Sequence, residues 1–394
     1  MSDAVAVVWH DGFLGYELGD HPLDPVRLEL TMALAQQLGV LDRACVLHRI
    51  PEPADDATLH RIHDPAYLAA VKAAPGHASF RGFGLNTPDN PVFDDMHATS
   101  ALIAGGTVMA AELVWRGEVQ HAVNIAGGLH HAMRDHASGF CVYNDPAIAI
   151  ARLLDLGADR IAYVDVDVHH GDGVQAAFWD DPRVLTVSVH QSPHSLFPGT
   201  GFPGETGGPE AAGSAVNIAL PPGTGDAGWL RAFHAVVPAA VRAFAPQVLL
   251  SQCGCDSHAA DPLAGLALSV DGQRESYAAM HRLAHELCAG RWVVVGGGGY
   301  GLVEVVPRAW THLLAEVTGE PLGPDTAVPP AWRELATARR PGSAPPVWMT
   351  DGARVRWRPY TPGELSDPVD RSIAATRAAV FPLLDLDLQT APTR

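Results

Sequence analysis

The 394-residue sequence predicts an α/β fold in which a mostly parallel sheet is flanked by helices on both faces. Three observations carry that prediction. Short β-branched runs alternate with longer alanine- and leucine-rich segments along most of the chain. Several of those runs are apolar throughout, as strands buried on both faces are. Polar and glycine-rich residues cluster directly after them, where ligands gather beyond the carboxyl ends of parallel strands.

In chain order, Ala4–Val8 is the first strand, followed by the helical segment Pro25–Leu38. Helix Ser100–Trp115 precedes strand Ala122–Ile125, which ends in AGGLHHAM with His130 and His131. Helix Ala147–Leu156 leads to strand Ile161–Val166, which runs into DVDVHHGDG with Asp165, Asp167, His169, His170 and Asp172. Strand Val184–Val189 ends at His190 and a loop reaching Phe197. After helix Ala227–Ala243, strand Val248–Ser251 ends in QCGCDSH with Asp256. Helix Arg274–Cys288 then leads to strand Trp292–Val295, which ends in GGGGY with Tyr300.

From Gly319 onward the composition shifts, with twelve prolines, three tryptophans (Trp332, Trp348, Trp357) and no histidine after His312. That shift divides the chain into a main domain over 1–318 and an extension over 319–394 packed on it. A loop is expected near Arg340–Pro346 and a final helix at Pro368–Val380.

Lysine and arginine total 26 against 44 aspartates and glutamates, a formal net charge of −18. A nucleic-acid-binding surface is basic, so that class of partner is not expected. Five cysteines without a CxxC pair make neither a disulfide framework nor a thiolate zinc site. Cys253 and Cys255 read as small buried packing residues. No basic region precedes the first apolar run, and no stretch approaches the ~18 apolar residues of a membrane span. A cytoplasmic protein is expected.

The chemistry lies at the strand ends. In an extended segment residues i and i+2 face the same side, so Asp167 and His169 can reach one ion. Asp256 can supply a third ligand from another strand end. Two carboxylates and one imidazole with open positions describe a catalytic metal site, taking zinc or ferrous iron. His130 and His131, on a loop after two glycines, offer a base and an acid near neutral pH. Asp165 and Asp172 are available to set their tautomers. A phenol at Tyr300, on a four-glycine loop, can donate to a developing oxyanion. GGGGYG has no GxGxxG register and no P-loop lysine, which argues against a phosphate cradle. Phe140 and Phe197 are candidates for the walls of an apolar channel.

Together, HPLDPVRLEL, DNPVFDDM, NIAGGLHHAMRDHASGFCVYND, VDVDVHHGDGVQAAFW, VSVHQSPHSLFPGTG, QCGCDSHAADPLAGLALS and GGGGYG resemble the zinc-dependent histone deacetylase family. The likeness is to its bacterial acetoin-utilisation branch above all. The resemblance implies the arginase–deacetylase fold, with a central eight-stranded sheet. It implies Asp167, His169 and Asp256 as metal ligands, and His130 and His131 as a catalytic pair bonded to Asp165 and Asp172. It makes Tyr300 the carbonyl-polarising hydroxyl, and Gly139, Phe140 and Phe197 parts of the tunnel around an acyl-lysine stem. Asp89 becomes a rim acceptor for substrate backbone amides, and Arg27 the lining of an internal acetate channel. A structural potassium ion is implied near Asp165, His169, Ser188 and Val189.

The implied activity is hydrolysis of N-acetyl-lysine side chains to lysine and acetate, with water activated at zinc. Acetylated proteins or peptides, acetyl-CoA synthetase among them, are the implied partners, and the oligomeric state is left open. Asp89 with Asp94 and Asp95 is expected to form an acidic rim suited to basic segments. Three rival readings share parts of this pattern. A small-molecule amidohydrolase acting on acetylpolyamines is disfavoured by Asp89 in its DNPVF setting. A binuclear ureohydrolase needs further carboxylates. A non-catalytic acyl-lysine binding module is expected to lack Tyr300 or a ligand.

Overall fold

The computed structural model describes residues 4–77 and 80–389. Its centre is a sheet of eight strands: β1 (Val5–Val8), β2 (Val46–Arg49), β3 (His121–Asn124), β4 (Ile161–Asp165), β5 (Val184–Gln191), β6 (Ala215–Leu220), β7 (Val248–Gln252) and β8 (Trp292–Val295). They lie in the order β2-β1-β3-β8-β7-β4-β5-β6. Every pairing is parallel, so the sheet is parallel throughout and not merely mostly so. The helices are α1 (Val26–Gln37), α2 (Asp56–Leu59), α3 (Pro65–Ala73), α4 (Met96–Trp115), α5 (Asp145–Asp155), α6 (Asp172–Ala177), α7 (Asp226–Phe244), α8 (Val270–Leu287), α9 (Val306–Val317), α10 (Pro330–Arg339) and α11 (Pro368–Val380).

Every residue of β1, β3, β4, β5, β7 and β8 is buried, so both faces of the sheet's centre are covered. The six strands expected from sequence are present within two residues at each end. β2 and β6, the two edges of the sheet, were not anticipated individually. α4 corrects the expectation that no stretch approaches a membrane span. It is long and apolar enough to cross a bilayer, but 72% of its most apolar window is buried inside the protein. Its alanines and glycines let it lie close to β3 and α5, which makes it a core helix.

The residues beyond α9 complete surfaces of the same fold. Trp332 of α10 is fully buried, and its indole donates to Leu30 O of α1 at 2.8 Å. Leu30, Leu34, Val303, Val328, Ala336 and Met349 surround it. α11 lies on β6 and α7: the Thr376 hydroxyl donates to Asn217 O at 2.6 Å, and Arg231 pairs with Asp370 at 2.7 Å.

Candidate active site

The four central strands are in register at their carboxyl ends. Asn124 sits beside Val295, Val295 beside Gln252, and Gln252 beside Asp165. The segments that leave these strands therefore meet in one place. They bring together His130, His131, Asp167, His169, Asp256 and Tyr300, as the sequence predicts.

The loop after β3 is fixed from the start of α5. Asp145, fully buried, accepts from Leu129 N at 2.8 Å, Gly128 N at 3.0 Å and the Thr107 hydroxyl at 2.6 Å. Burial pushes its pKa up to about 6 despite those bonds. The Asn144 amide donates to the carbonyls of His130 and Ala132 at 3.1 and 3.0 Å. So held, His130 turns Nδ1 to Asp165 Oδ2 (2.7 Å), which also accepts from the Tyr163 hydroxyl (2.7 Å). His131 turns Nδ1 to Asp172 Oδ1 at 2.6 Å, and the two Nε2 atoms lie 3.1 Å apart. A carboxylate only accepts, so the hydrogen is assigned to each Nδ1 and Nε2 faces inward.

The two imidazoles are not equivalent. Burial disfavours charge on both. On His130 it is outweighed by the carboxylates of Asp165, Asp167 and Asp172, which raise its pKa to about 9. On His131 burial wins, helped by the neighbouring charge of His130, and the pKa falls below its ordinary 6.5.

Asp167, His169 and Asp256 offer ligand atoms within 4.8 Å of one another. His169 Nδ1 is 3.1 Å from both Asp167 Oδ1 and Asp256 Oδ2. Asp167 and His169 do not lie in an extended segment, as the sequence reading expects, because β4 stops at Asp165 and the chain bends after it. It bends around the carboxylates: His169 N donates to Asp167 Oδ1 at 3.0 Å and Val168 N to Asp256 Oδ1 at 2.9 Å. Gln252 Nε2 and Gly298 N each donate to Asp167 Oδ2 at 2.7 Å.

This donor set fits a divalent ion. Burial and the facing Asp167 push Asp256 up to about 7. Against its own burial, the two carboxylates pull a proton onto His169, raising it to about 10. The cluster thus demands positive charge, and a bound cation displaces that proton. Room is kept for it: a Cβ at Gly298 would lie 2.0 Å from Asp256 Oδ2, and one at Gly254 2.1 Å from Asp167 Oδ2.

A cavity of about 220 Å³ opens on this cluster, lined by Asp89, His131, Gly139, Phe140, His169, Leu196, Phe197, Leu263 and Tyr300. Phe197 packs edge-on to His131 at 5.0 Å, and Phe140 edge-on to Tyr300 at 5.7 Å. Gly139 has φ 50°, and a Cβ there would meet the His131 ring at 2.4 Å. Burial pushes the Tyr300 phenol well above its ordinary pKa, so it keeps its proton. At the ionisable end a smaller space of about 20 Å³, enough for a water-sized group, lies among His130, His131, Asp167, His169 and Tyr300 and extends to Leu23, Cys141 and Gly297.

Asp89 stands exposed at the mouth, whereas Asp94 and Asp95, also exposed, do not line the cavity. Arg27 lines neither space. Its Nη1 donates to Gly297 O and Gly299 O at 3.0 and 2.9 Å, and so braces the glycine loop that carries Tyr300. Asp165 pairs in register with Ser188, two of the four residues expected around a potassium ion. Cys253 and Cys255 are fully buried, and burial pushes the Cys253 thiol up to about 12, as inert packing residues require. Sequence reasoning missed Asp145, Asn144, Tyr163 and Gln252, whose work is to hold backbone and carboxylates in place.

A parallel sheet whose central strand ends gather two carboxylate-bound histidines, an Asp-His-Asp cluster and a buried phenol defines a deacetylase-type hydrolase. Residues 21–317 match the family described as Histone deacetylase domain. The chain belongs to the histone deacetylase family. It is 39% identical over 334 residues to the acetoin utilization protein AcuC of Bacillus subtilis, covering 84% of this chain and 85% of that one. It is 37% identical over 326 residues to AcuC of Staphylococcus aureus strain MSSA476, covering 82% and 83%. A solved histone deacetylase homologue from Aquifex aeolicus superposes with a TM-score of 0.80 at 30% identity, covering 95% of this chain and 100% of that chain. A homologue complexed with SAHA gives 0.79 at 30% identity, covering 95% and 99%. The fold is thus the arginase–deacetylase fold, and the family is one of metal-dependent hydrolases.

Proposed function

We propose that the chain hydrolyses N-acetyl-lysine side chains in proteins to lysine and acetate. The observation that carries this reading is the narrow cavity, walled by Phe140, Leu196 and Phe197, that runs from Asp89 to His131, His169 and Tyr300. An uncharged acyl-lysine stem suits such walls, and the reacting amide then reaches the ionisable end.

Asp167, His169 and Asp256 would hold the metal, which we assign as zinc, with ferrous iron the competing occupant. When bound, such an ion supplies Lewis acidity to the amide carbonyl and to the attacking water. His131, kept neutral by burial and by His130, takes the proton from water through Nε2 as the carbonyl carbon is attacked. Asp172 holds His131 in the tautomer this requires. The Tyr300 hydroxyl donates to the oxyanion that forms. His131 then returns its proton to the amine nitrogen as the C–N bond breaks. His130, paired with Asp165, acts as the charge behind His131. Acetate is the second product, and Arg27, which lines neither space, acts only through the glycine loop it braces.

The names of the relatives attach them to acetoin utilisation, so acetylated enzymes of acyl activation, acetyl-CoA synthetase among them, are the substrates we put first. The five unpaired cysteines support a cytoplasmic location. A structural potassium ion beside Asp165 and Ser188 completes the proposal.

The test compares turnover of an acetyl-lysine peptide with that of acetylputrescine, with metal analysis on the same preparation. Peptide turnover that exceeds acetylputrescine turnover at least tenfold is expected. Preference for acetylputrescine would replace the protein substrate by a polyamine, and absence of turnover on both would replace the enzyme by a binding module.

A further inference from the structure

At the end of the sheet opposite the candidate active site, three imidazoles meet. His121 is the first residue of β3, and His281 and His285 stand one turn apart near the end of α8. One ring nitrogen from each lies within 4.8 Å of the other two.

The hydrogen bonds of His121 and His281 leave the Nε2 of each with a lone pair that no backbone donor uses. His121 is buried, and its Nδ1 donates to Val317 O at the end of α9 at 2.7 Å. Its Nε2 is also buried, with no hydrogen-bond partner. His281 Nδ1 meets Glu316 Oε1 at 2.9 Å, and because a carboxylate only accepts, the hydrogen is on Nδ1. That leaves His281 Nε2 facing His285 Nε2, 3.1 Å away. Trp292, the first residue of β8, stacks on His281 (5.2 Å, 17°) and stands edge-on to His121 (5.6 Å, 80°).

This is how metal-ligating histidines are dressed: one ring nitrogen bonds a carbonyl or carboxylate and orients the other toward the ion. Two histidines at i and i+4 share one helix face. Tetrahedral ligation at 2.0–2.1 Å places neighbouring nitrogens about 3.3 Å apart, close to the spacing of His281 and His285. A buried nitrogen without a donor is costly, and an ion on it removes that cost.

We propose that His121, His281 and His285 form a second, non-catalytic metal site that takes a zinc ion. Glu316 and Val317 O are its outer partners, and it ties the end of α8 to the start of β3. Three imidazoles without a carboxylate ligand suit zinc and the neighbouring late transition metals rather than magnesium or calcium. The exposed His285 leaves the remaining coordination position open to solvent.

The test is a metal count on the full chain, saturated with zinc and freed of excess, together with thermal unfolding with and without added zinc. The wild type is expected to hold two zinc ions per chain. His285→Ala, at an exposed position, is expected to hold one, to keep wild-type deacetylase turnover, and to lose part of the zinc-induced rise in Tm. Asp256→Ala is expected to retain one ion, and the Asp256→Ala, His285→Ala double variant none. One ion per chain in the wild type overturns the proposal. So does a second ion that persists in both His285→Ala and His281→Gln, or an Asp256→Ala chain that binds none.

Discussion

Asp172 Oδ1 lies 2.6 Å from His131 Nδ1, and both side chains are almost wholly withdrawn from water. The bond decides which nitrogen of His131 can accept a proton. Asp172→Asn preserves the shape but permits the opposite tautomer. We expect kcat to fall by about 10²–10⁴-fold, the range general base catalysis contributes, with KM little changed. Steady-state kinetics on an acetyl-lysine peptide measure this, and wild-type kcat would remove His131 from its role.

Tyr300→Phe deletes only the phenolic oxygen. Loss of one oxyanion donor costs about 10²–10³ in turnover, and that loss is expected with an unchanged Tm. A variant with wild-type turnover would show that the hydroxyl is a bystander.

Gly298→Ala tests the metal cradle without replacing a ligand. Its methyl would lie 2.0 Å from Asp256 Oδ2 and 2.8 Å from Asp167 Oδ2. The variant is expected to lose catalytic metal and activity together while far-ultraviolet circular dichroism stays native. Full metal occupancy would refute the cradle.

The pH dependence follows from the direction of the His131 shift. Burial, then the charge on His130, lowers its pKa below 6.5, so its neutral form persists to lower pH than in a free histidine. Activity should therefore rise with pH through a midpoint below 6.5 in the kcat/KM profile. A rising limb centred above pH 7 would mean that another group is the base.

Asp89→Ala removes the carboxylate at the cavity mouth. KM for an acetyl-lysine peptide should rise while KM for a small acetylated amine moves much less. Equal losses on both substrates would deny Asp89 a part in holding the peptide backbone.

Much of this site was legible because its residues break the local rule. Asp167, His169 and Asp256 are polar side chains just past apolar strand ends, where an unpaired charge is not tolerated. Asp145 and Gln252 leave no such trace. Each satisfies distant groups, Gly128 and Leu129 in one case and Asp167 in the other, and only the fold reveals these contacts. The sheet divides in a similar way. Interior strands such as Trp292–Val295 read as continuous apolar runs. The unanticipated strands are the edges, where VLHR is only partly buried and AVNIAL is interrupted by Asn217.

The indole of Trp332 reaches back 302 residues to Leu30 on α1, the helix whose Arg27 braces the loop bearing Tyr300. Trp332 thus links the residues beyond α9 to the helix that braces the loop of the reacting phenol. A nascent chain that has not yet extruded α10 carries every catalytic side chain, but Leu30 and Leu34 still lack the tryptophan that covers them. Ribosome-bound chains halted before Pro330 should consequently bind a hydrophobic dye at α1, and chains released beyond Arg339 should not.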